Sequence, residues 1–267
     1  AQRGDVVLAL VSGPAGIGKT RLVESLVDPM QAEGARVSRG SWVRQRTGPF
    51  EGLLAALDGI IHQLLTEPPS TKRALRRRLE EEVGEGVSLL AGLLPELELL
   101  CGPRPPPAAM GPQEAQQRFQ LLVHRLVSAL ATQADPLVLF LDDVQWAESS
   151  SLRLIGQLCA SYRGPGLLVV LGCRTGHDEQ GLEPAAIRGA LGLAADRARH
   201  LVLGPLAREE IGTLVAELLG CSVERTAPLA AMVHELVGGN PWSVQRLLVK
   251  LNAFGALRSE GESWVWE

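Results

Sequence analysis

Eight residues near the start of the chain carry its most specific motif, Gly13-Pro14-Ala15-Gly16-Ile17-Gly18-Lys19-Thr20. They match the pattern G-x-x-x-x-G-K-S/T and lie between an apolar run at 6–12 and a segment of helical periodicity at 19–31. Glycines let the backbone turn its N–H groups toward phosphate oxygens, and the following helix adds the positive end of its dipole. The motif predicts a phosphate-binding loop in which Lys19 reaches the β- and γ-phosphates and the Thr20 hydroxyl binds Mg²⁺. A glycine-rich turn without a ligand is the competing interpretation.

Two acids, Asp142 and Asp143, stand at the end of a second apolar strand at 136–143. A phosphate-binding loop needs a carboxylate at the tip of such a strand to hold Mg²⁺. Asp142 is therefore predicted as a metal ligand beside Thr20. Asp143, one residue further, is predicted to polarise an attacking water, and an ordinary capping pair is the alternative.

Arg174 follows the next buried strand, at 167–173. Strands of a doubly wound sheet present their carboxyl ends to the ligand crevice, where an arginine can pair with a phosphate. Arg174 is thus predicted to sense the γ-phosphate, and a surface charge at a strand end is the alternative. Lys19, Asp143 and Arg174 form the predicted catalytic set.

Strand and helix patterns alternate up to about residue 204, which predicts an α/β fold with a doubly wound parallel sheet. Only helical patterns follow, and a short hairpin is predicted at 256–266. We expect an α/β core at 1–204 with a helical insertion at about 66–131, and a helical lid domain at 205–255. The helices predicted in that lid lie at 208–219, 228–237 and 241–254.

Charge and composition limit the classes of partner that the chain is expected to bind. The 267 residues include 26 Lys and Arg against 30 Asp and Glu, a net charge of −4, which disfavours nucleic acid as a direct partner. The run Arg76–Arg78 precedes Glu80–Glu82 at a spacing of four, so we expect these charges to pair with one another. Ser70 is predicted to cap the helix that carries them.

No apolar run is long enough for a membrane helix, and no signal peptide is present. The four cysteines form no CxxC pair, which disfavours a metal site, and Cys159 and Cys173 are expected to be buried thiols. A cytoplasmic location without membrane contact fits these features best. Both ends of the chain are interpreted as cuts in a longer protein.

Taken together, these motifs resemble the STAND-type AAA-like ATPases. Those are ATPase modules of large LuxR-type regulators, class III nucleotide cyclases and multidomain Ser/Thr-kinase–histidine-kinase hybrids. The most specific part is the run Leu-Phe-Leu-Asp-Asp-Val-Gln-Trp-Ala at 139–147, and Gly-Asn-Pro-Trp at 239–242 fits the same pattern. The resemblance implies a P-loop NTPase with an additional-strand, AAA-like parallel sheet and a C-terminal α-helical domain.

The resemblance also implies ATP or ADP with Mg²⁺ as cofactors. Pro241 would line the adenine pocket and couple the helical domain to the nucleotide, and 256–267 would begin a winged-helix-like element. The predicted nucleotide-binding residues are Gly13, Pro14, Ala15, Gly16, Ile17, Gly18, Lys19, Thr20, Arg21 and Pro241.

The function expected from the sequence is a Mg-ATP-binding, slowly hydrolysing switch module of a larger regulator. Its partners would be the nucleotide, effector domains of the same full-length chain and, in the ATP state, further copies of itself. Two other functions stay open at this point: a non-hydrolysing ADP- or ATP-binding scaffold, and a DNA-associated AAA-type loader.

Overall fold

The computed structural model describes residues 7–44, 48–105, 111–176, 181–192, 197–260 and 263–266. The strands are β1 (Val7–Gly13), β2 (Arg36–Ser41), β3 (Leu137–Asp142), β4 (Leu167–Arg174), β5 (Arg199–Val202), β6 (Leu257–Glu260) and β7 (Ser263–Trp266). The helices are α1 (Lys19–Ala32), α2 (Glu51–Leu65), α3 (Pro69–Glu82), α4 (Val87–Ala91), α5 (Leu97–Cys101), α6 (Pro112–Leu130), α7 (Ser149–Ser161), α8 (Pro184–Leu191), α9 (Arg208–Leu219), α10 (Val223–Val237) and α11 (Pro241–Ala253).

Five strands form one sheet in the order β2-β3-β4-β1-β5. β3 pairs in parallel with β2 on one side and with β4 on the other. Neighbouring strands that are not consecutive in sequence require crossover connections, which the intervening helices supply. β4 lies between β1 and β3, so the predicted additional-strand, AAA-like sheet is confirmed.

Burial explains which sequences occupy the middle of this sheet. Every residue of 137–141 in β3 is at most 2% exposed, as expected for a parallel strand covered on both faces. The edge strand β5 is largely exposed and carries Arg199 and His200. Cys159 and Cys173 are buried as predicted, and burial raises the pKa of the Cys159 thiol to about 12. Among the described residues, no helix is long and apolar enough to cross a membrane.

The structure of the helical insertion corrects the predicted cap of its first helix and adds two helices that the sequence did not indicate individually. Ser70 does not cap α3, because the helix begins at Pro69 and Pro68 occupies the N-cap position. Proline suits the first helical turn, where its missing N–H has no intrahelical partner. Helices α4 and α5 lie in a part of the insertion for which no helix was predicted.

The charge run of α3 is paired largely as predicted. Arg76 and Arg77 bind Glu80 and Glu81 at 3.1 Å and 3.6 Å. The expected partner of Arg78 in this run was wrong, because Arg78 pairs with an acid outside the helix, Asp135, at 3.4 Å.

The chain divides into two compact units, one of residues 1–12 and 22–201, the other of residues 13–21 and 202–267. The second unit contains the phosphate-binding loop (residues 13–20) together with α9, α10 and α11. The division into an α/β core and a lid domain at residue 204 stays a prediction.

The second unit has its own apolar core, which includes Ile211, Val233 and Val244, each fully buried. The predicted hairpin is confirmed as the antiparallel pair β6–β7, and Trp264 and Trp266 pack against this core. Its interpretation as the start of a winged-helix-like element stays a prediction.

Helix α10 begins at Val223, five residues before the predicted start. Pro228, the first residue of the predicted helix, lies inside the observed one. Ser222 caps the helix instead, because its hydroxyl accepts a hydrogen bond from the backbone N–H of Arg225 at 3.4 Å.

Close packing of α2 against β2 leads to a first prediction. A Cβ atom on Gly40 would collide with the carbonyl oxygen of Gly52 and come within 3.1 Å of the Ala56 nitrogen. These are backbone atoms that cannot swing aside, so Gly40→Ala should lower the free energy of unfolding by about 1–3 kcal/mol. Urea denaturation measures this loss.

The matched control is Gly189→Ala in α8, because nothing lies within 4 Å of the added methyl group there. Alanine is the better helix former, so this variant should be at least as stable as the natural protein. Equal stability of the two variants would show that the close approach at Gly40 is not needed.

Candidate functional site

The phosphate-binding loop has the backbone that its glycines predict. Gly16 and Gly18 have φ angles of 76° and 102°, a region that residues with side chains rarely adopt. Lys19 begins α1 and is only 7% exposed. Its ammonium donates hydrogen bonds to the carbonyl oxygens of Gly13 at 2.9 Å and Pro14 at 3.0 Å. The loop therefore closes around the charge that is predicted to bind phosphate.

The remaining predicted residues of the loop differ in exposure. Ile17 is buried, and Thr20 is half-buried in the first turn of α1. Pro14, Ala15 and Arg21 are exposed. The carbonyl oxygens of this exposed tip are nevertheless bound within the unit, that of Pro14 by Lys19 and that of Ala15 by Asn240.

The start of α11 contacts this loop within the second unit. The Asn240 side-chain amide donates to the carbonyl oxygen of Ala15 at 2.8 Å, and the Trp242 backbone N–H donates to that of Gly16 at 3.3 Å. A Cβ on Gly16 would lie 2.7 Å from the Trp242 Cβ. Glycine is required at position 16 both by its φ angle and by this contact.

Pro241 stands between these two contact residues as the first residue of α11. It is half-buried. Its role in an adenine pocket stays a prediction, whereas the roles of Asn240 and Trp242 in holding the loop were not predicted. The residues by themselves indicated a helix boundary there, and the family resemblance gave a role to Pro241 alone.

The two predicted acids point to different neighbours. Asp142 ends β3, and Asp143 adopts the left-handed conformation with φ 56° and ψ 36°, which Asp tolerates better than most residues. The Asp143 backbone N–H donates to Asp142 Oδ1 at 2.9 Å. A Cβ on Gly172 in β4 would collide with that same oxygen, so Gly172 leaves the room that the Asp142 carboxylate occupies.

Arg174 and Asp143 form a bidentate ion pair. The guanidinium donates from Nε to Asp143 Oδ1 at 2.7 Å and from Nη2 to Oδ2 at 3.0 Å. Charge-assisted pairs of this geometry are among the stronger hydrogen bonds in proteins. The sequence assigned separate roles to these residues, and the structure brings them together.

Gln145 contacts both partners of this ion pair, and the residue is only 2% exposed. Its amide donates to Asp143 Oδ1 at 3.0 Å, and its side-chain oxygen accepts the backbone N–H of Arg174 at 3.0 Å. Its own carbonyl oxygen accepts from the Leu182 N–H at 2.8 Å. Gln145 lies in the motif at 139–147 but was not predicted to have a role of its own, and the signal that could have indicated one is an amide just after the paired acids.

The residues present fit a nucleotide with Mg²⁺. For phosphate, the loop offers a backbone with positive φ angles at Gly16 and Gly18 and the buried ammonium of Lys19. The Thr20 hydroxyl in the second unit and the Asp142 carboxylate in the first are each an oxygen ligand of the kind that Mg²⁺ prefers.

Solved structures resemble the chain over most of its length. Cdc6p from Pyrobaculum aerophilum has a TM-score of 0.47 and 14% sequence identity, covering 95% of this chain and 56% of that chain. The Orc1 protein of Aeropyrum pernix, solved in complex with DNA, has a TM-score of 0.40 and 16% identity, covering 94% of this chain and 54% of that chain.

Sequence comparison identifies both a relative and a family. The hybrid signal transduction histidine kinase G of Dictyostelium discoideum is 30% identical over 159 residues, which are 60% of this chain but 5% of that protein. Residues 1–170 match the AAA ATPase domain. Because this match covers more than half of the chain, the protein belongs to the AAA ATPase domain family and is a nucleotide-binding domain.

Proposed function

We propose that this chain is a Mg-ATP-binding, slowly hydrolysing switch module of a larger signalling protein. The observation that carries the proposal is the bidentate ion pair between Arg174 and Asp143. In this pair Arg174, the predicted phosphate sensor, is bound to Asp143, the predicted water-activating acid. While the pair is closed, Arg174 does not bind phosphate and Asp143 does not polarise water. Hydrolysis then requires the pair to open, which supports a slow reaction.

Nucleotide binding rests on the phosphate-binding loop. Lys19 would exchange the carbonyl oxygens of Gly13 and Pro14 for phosphate oxygens, which are stronger acceptors because they are charged. Thr20 and Asp142 would hold Mg²⁺. When bound, the metal would supply positive charge that neutralises the phosphates.

Switching rests on competition for Arg174. A γ-phosphate offers the guanidinium a second anion, and its arrival would release the Asp143 carboxylate to polarise water. ADP has no γ-phosphate and would leave the ion pair closed. The two nucleotides would therefore stabilise different arrangements of the same residues, and a ligand shifts an equilibrium only through such a difference.

The setting of the module is a proposal as well. The chain covers 5% of a relative that is described as a hybrid histidine kinase, which supports a place among several domains. Effector domains of the same full-length chain, association with further copies in the ATP state and a cytoplasmic location complete the proposed function. The ion pairs of Arg76 and Arg77 with acids of their own helix disfavour a DNA-loading role.

A second candidate is favoured by the same observation. If the pair between Arg174 and Asp143 never opens, the chain is a scaffold that binds nucleotide without hydrolysing it. The two candidates differ in phosphate release from ATP: the switch releases phosphate slowly, and the scaffold releases none.

Replacement of Lys19 by alanine should weaken Mg-ATP binding by about 10- to 100-fold, the range expected for lost hydrogen bonds to a charged group. Isothermal titration calorimetry measures the change. Lys72→Ala is the control, because the Lys72 ammonium also donates to a backbone carbonyl, that of Leu65, at 3.2 Å. Unaltered binding by Lys19→Ala would contradict the proposed function, and Lys19→Met, which keeps the buried stem, guards against misfolding.

Replacement of Asp143 by asparagine should not weaken ATP binding, because it releases Arg174 from its ion pair. It should reduce turnover by about 100-fold or more, because a neutral amide cannot accept a proton from water. Steady-state phosphate release measures turnover, and Asp28→Asn on an exposed position of α1 is the control. Hydrolysis at the natural rate in Asp143→Asn would rule out Asp143 as the base. Release at background in both proteins would favour the scaffold.

A further inference from the structure

One side chain of the second unit joins the phosphate-binding loop to a helix. Asn240 Oδ1 accepts the backbone N–H groups of Trp242 at 3.1 Å and Ser243 at 3.2 Å, which makes Asn240 the N-cap of α11. Its Nδ2 donates to the Ala15 carbonyl oxygen at 2.8 Å. The oxygen of this side-chain amide thus caps α11, and its nitrogen binds the phosphate-binding loop.

The bond to Ala15 fixes a peptide plane of the loop. In a trans peptide the C=O and N–H groups point in opposite directions, so a carbonyl held by Asn240 turns the Gly16 N–H away from α11. The Trp242 N–H holds the carbonyl of Gly16 in the same way at 3.3 Å. Loop amides bind phosphate only when they face it, so these two contacts determine which way the loop can donate.

Asn240 is itself held in position. Gly239 before it is buried, and a Cβ there would collide with the carbonyl oxygen of Leu206. The Leu206 N–H donates to the Gly239 carbonyl oxygen at 2.8 Å. Pro241 after it has the fixed φ that suits the first turn of a helix. The amide is therefore presented to the loop by a rigid turn.

We infer that Asn240 is a positioning residue for nucleotide binding, which orients the Ala15–Gly16 peptide of the phosphate-binding loop through its side-chain amide. The inference rests on the proposed nucleotide binding. It also means that any movement of the start of α11 relative to the loop changes the direction of the Gly16 N–H, and hence the affinity for phosphate. Nucleotide binding should in turn hold the start of α11 in place, because such coupling is reciprocal.

Substitution by serine separates the two roles of Asn240. Serine is as good an N-cap as asparagine, but its hydroxyl is one bond too short to replace Nδ2 at Ala15, and it adds no charge. Asn240→Ala removes both the cap and the bond to the loop. Ser222→Ala removes the cap of α10 and touches no residue of the loop, which makes it the matched control.

With the full 267-residue chain, titration with Mg-ATP should show about 3- to 10-fold weaker binding for both Asn240→Ser and Asn240→Ala, the range for one lost neutral hydrogen bond. Ser222→Ala should bind as the natural protein does. The ¹³C resonance of the Ala15 carbonyl should move in both Asn240 variants and stay in place in Ser222→Ala. A role in helix stability alone would not move that resonance in Asn240→Ser.

The outcomes separate this inference from the proposed function. If Lys19→Ala loses binding while Asn240→Ser binds as the natural protein does, the inference is wrong and the proposed function stands. If the natural protein does not bind Mg-ATP at all, the proposed function fails and the inference fails with it. An unchanged Ala15 resonance in Asn240→Ser would overturn the inference whatever the affinities.

Discussion

A phosphate-binding loop depends on the direction in which its peptide N–H groups point. Amides that turned freely would have to be ordered anew at each binding event, and that ordering costs free energy. Here α11 bonds to the carbonyls of Ala15 and Gly16 within the same unit. Lys19 bonds to those of Gly13 and Pro14 until phosphate replaces them. Such pre-organisation ties the helices after residue 202 to the chemistry of the loop.

A second constraint governs the ends of β3 and β4. Both strands are apolar because both of their faces are covered, so polar side chains are confined to the points where the strands end. Asp142, Asp143 and Arg174 occupy those points. The ion pair between Asp143 and Arg174 then makes the availability of the acid depend on what the arginine binds. This dependence is the physical basis of the proposed switch.

The predictions that were wrong share a cause. Ser70 was assigned as a cap from the preference of a single residue, and the helix at 228–237 was given too late a start: Pro68 and Ser222 occupy the N-cap positions instead. Arg78 was assigned to its own helix by spacing, but it pairs with Asp135, which is 57 positions away. A local rule has no access to an acid that folding brings from that distance.

The sequence alone was enough for the loop, the acids at the strand end, the arginine that follows β4 and the alternation of strands and helices. Each of these depends on neighbours within about one element, through glycine conformation, hydrophobic period and strand-end polarity. Three residues acquired their roles only in the tertiary structure: Gly172 beside Asp142, Gln145 beneath the ion pair, and Asn240 on the loop. The last of these contacts joins residues 225 positions apart, and a hydrogen bond at that separation forms only because the packing of whole helices brings donor and acceptor together.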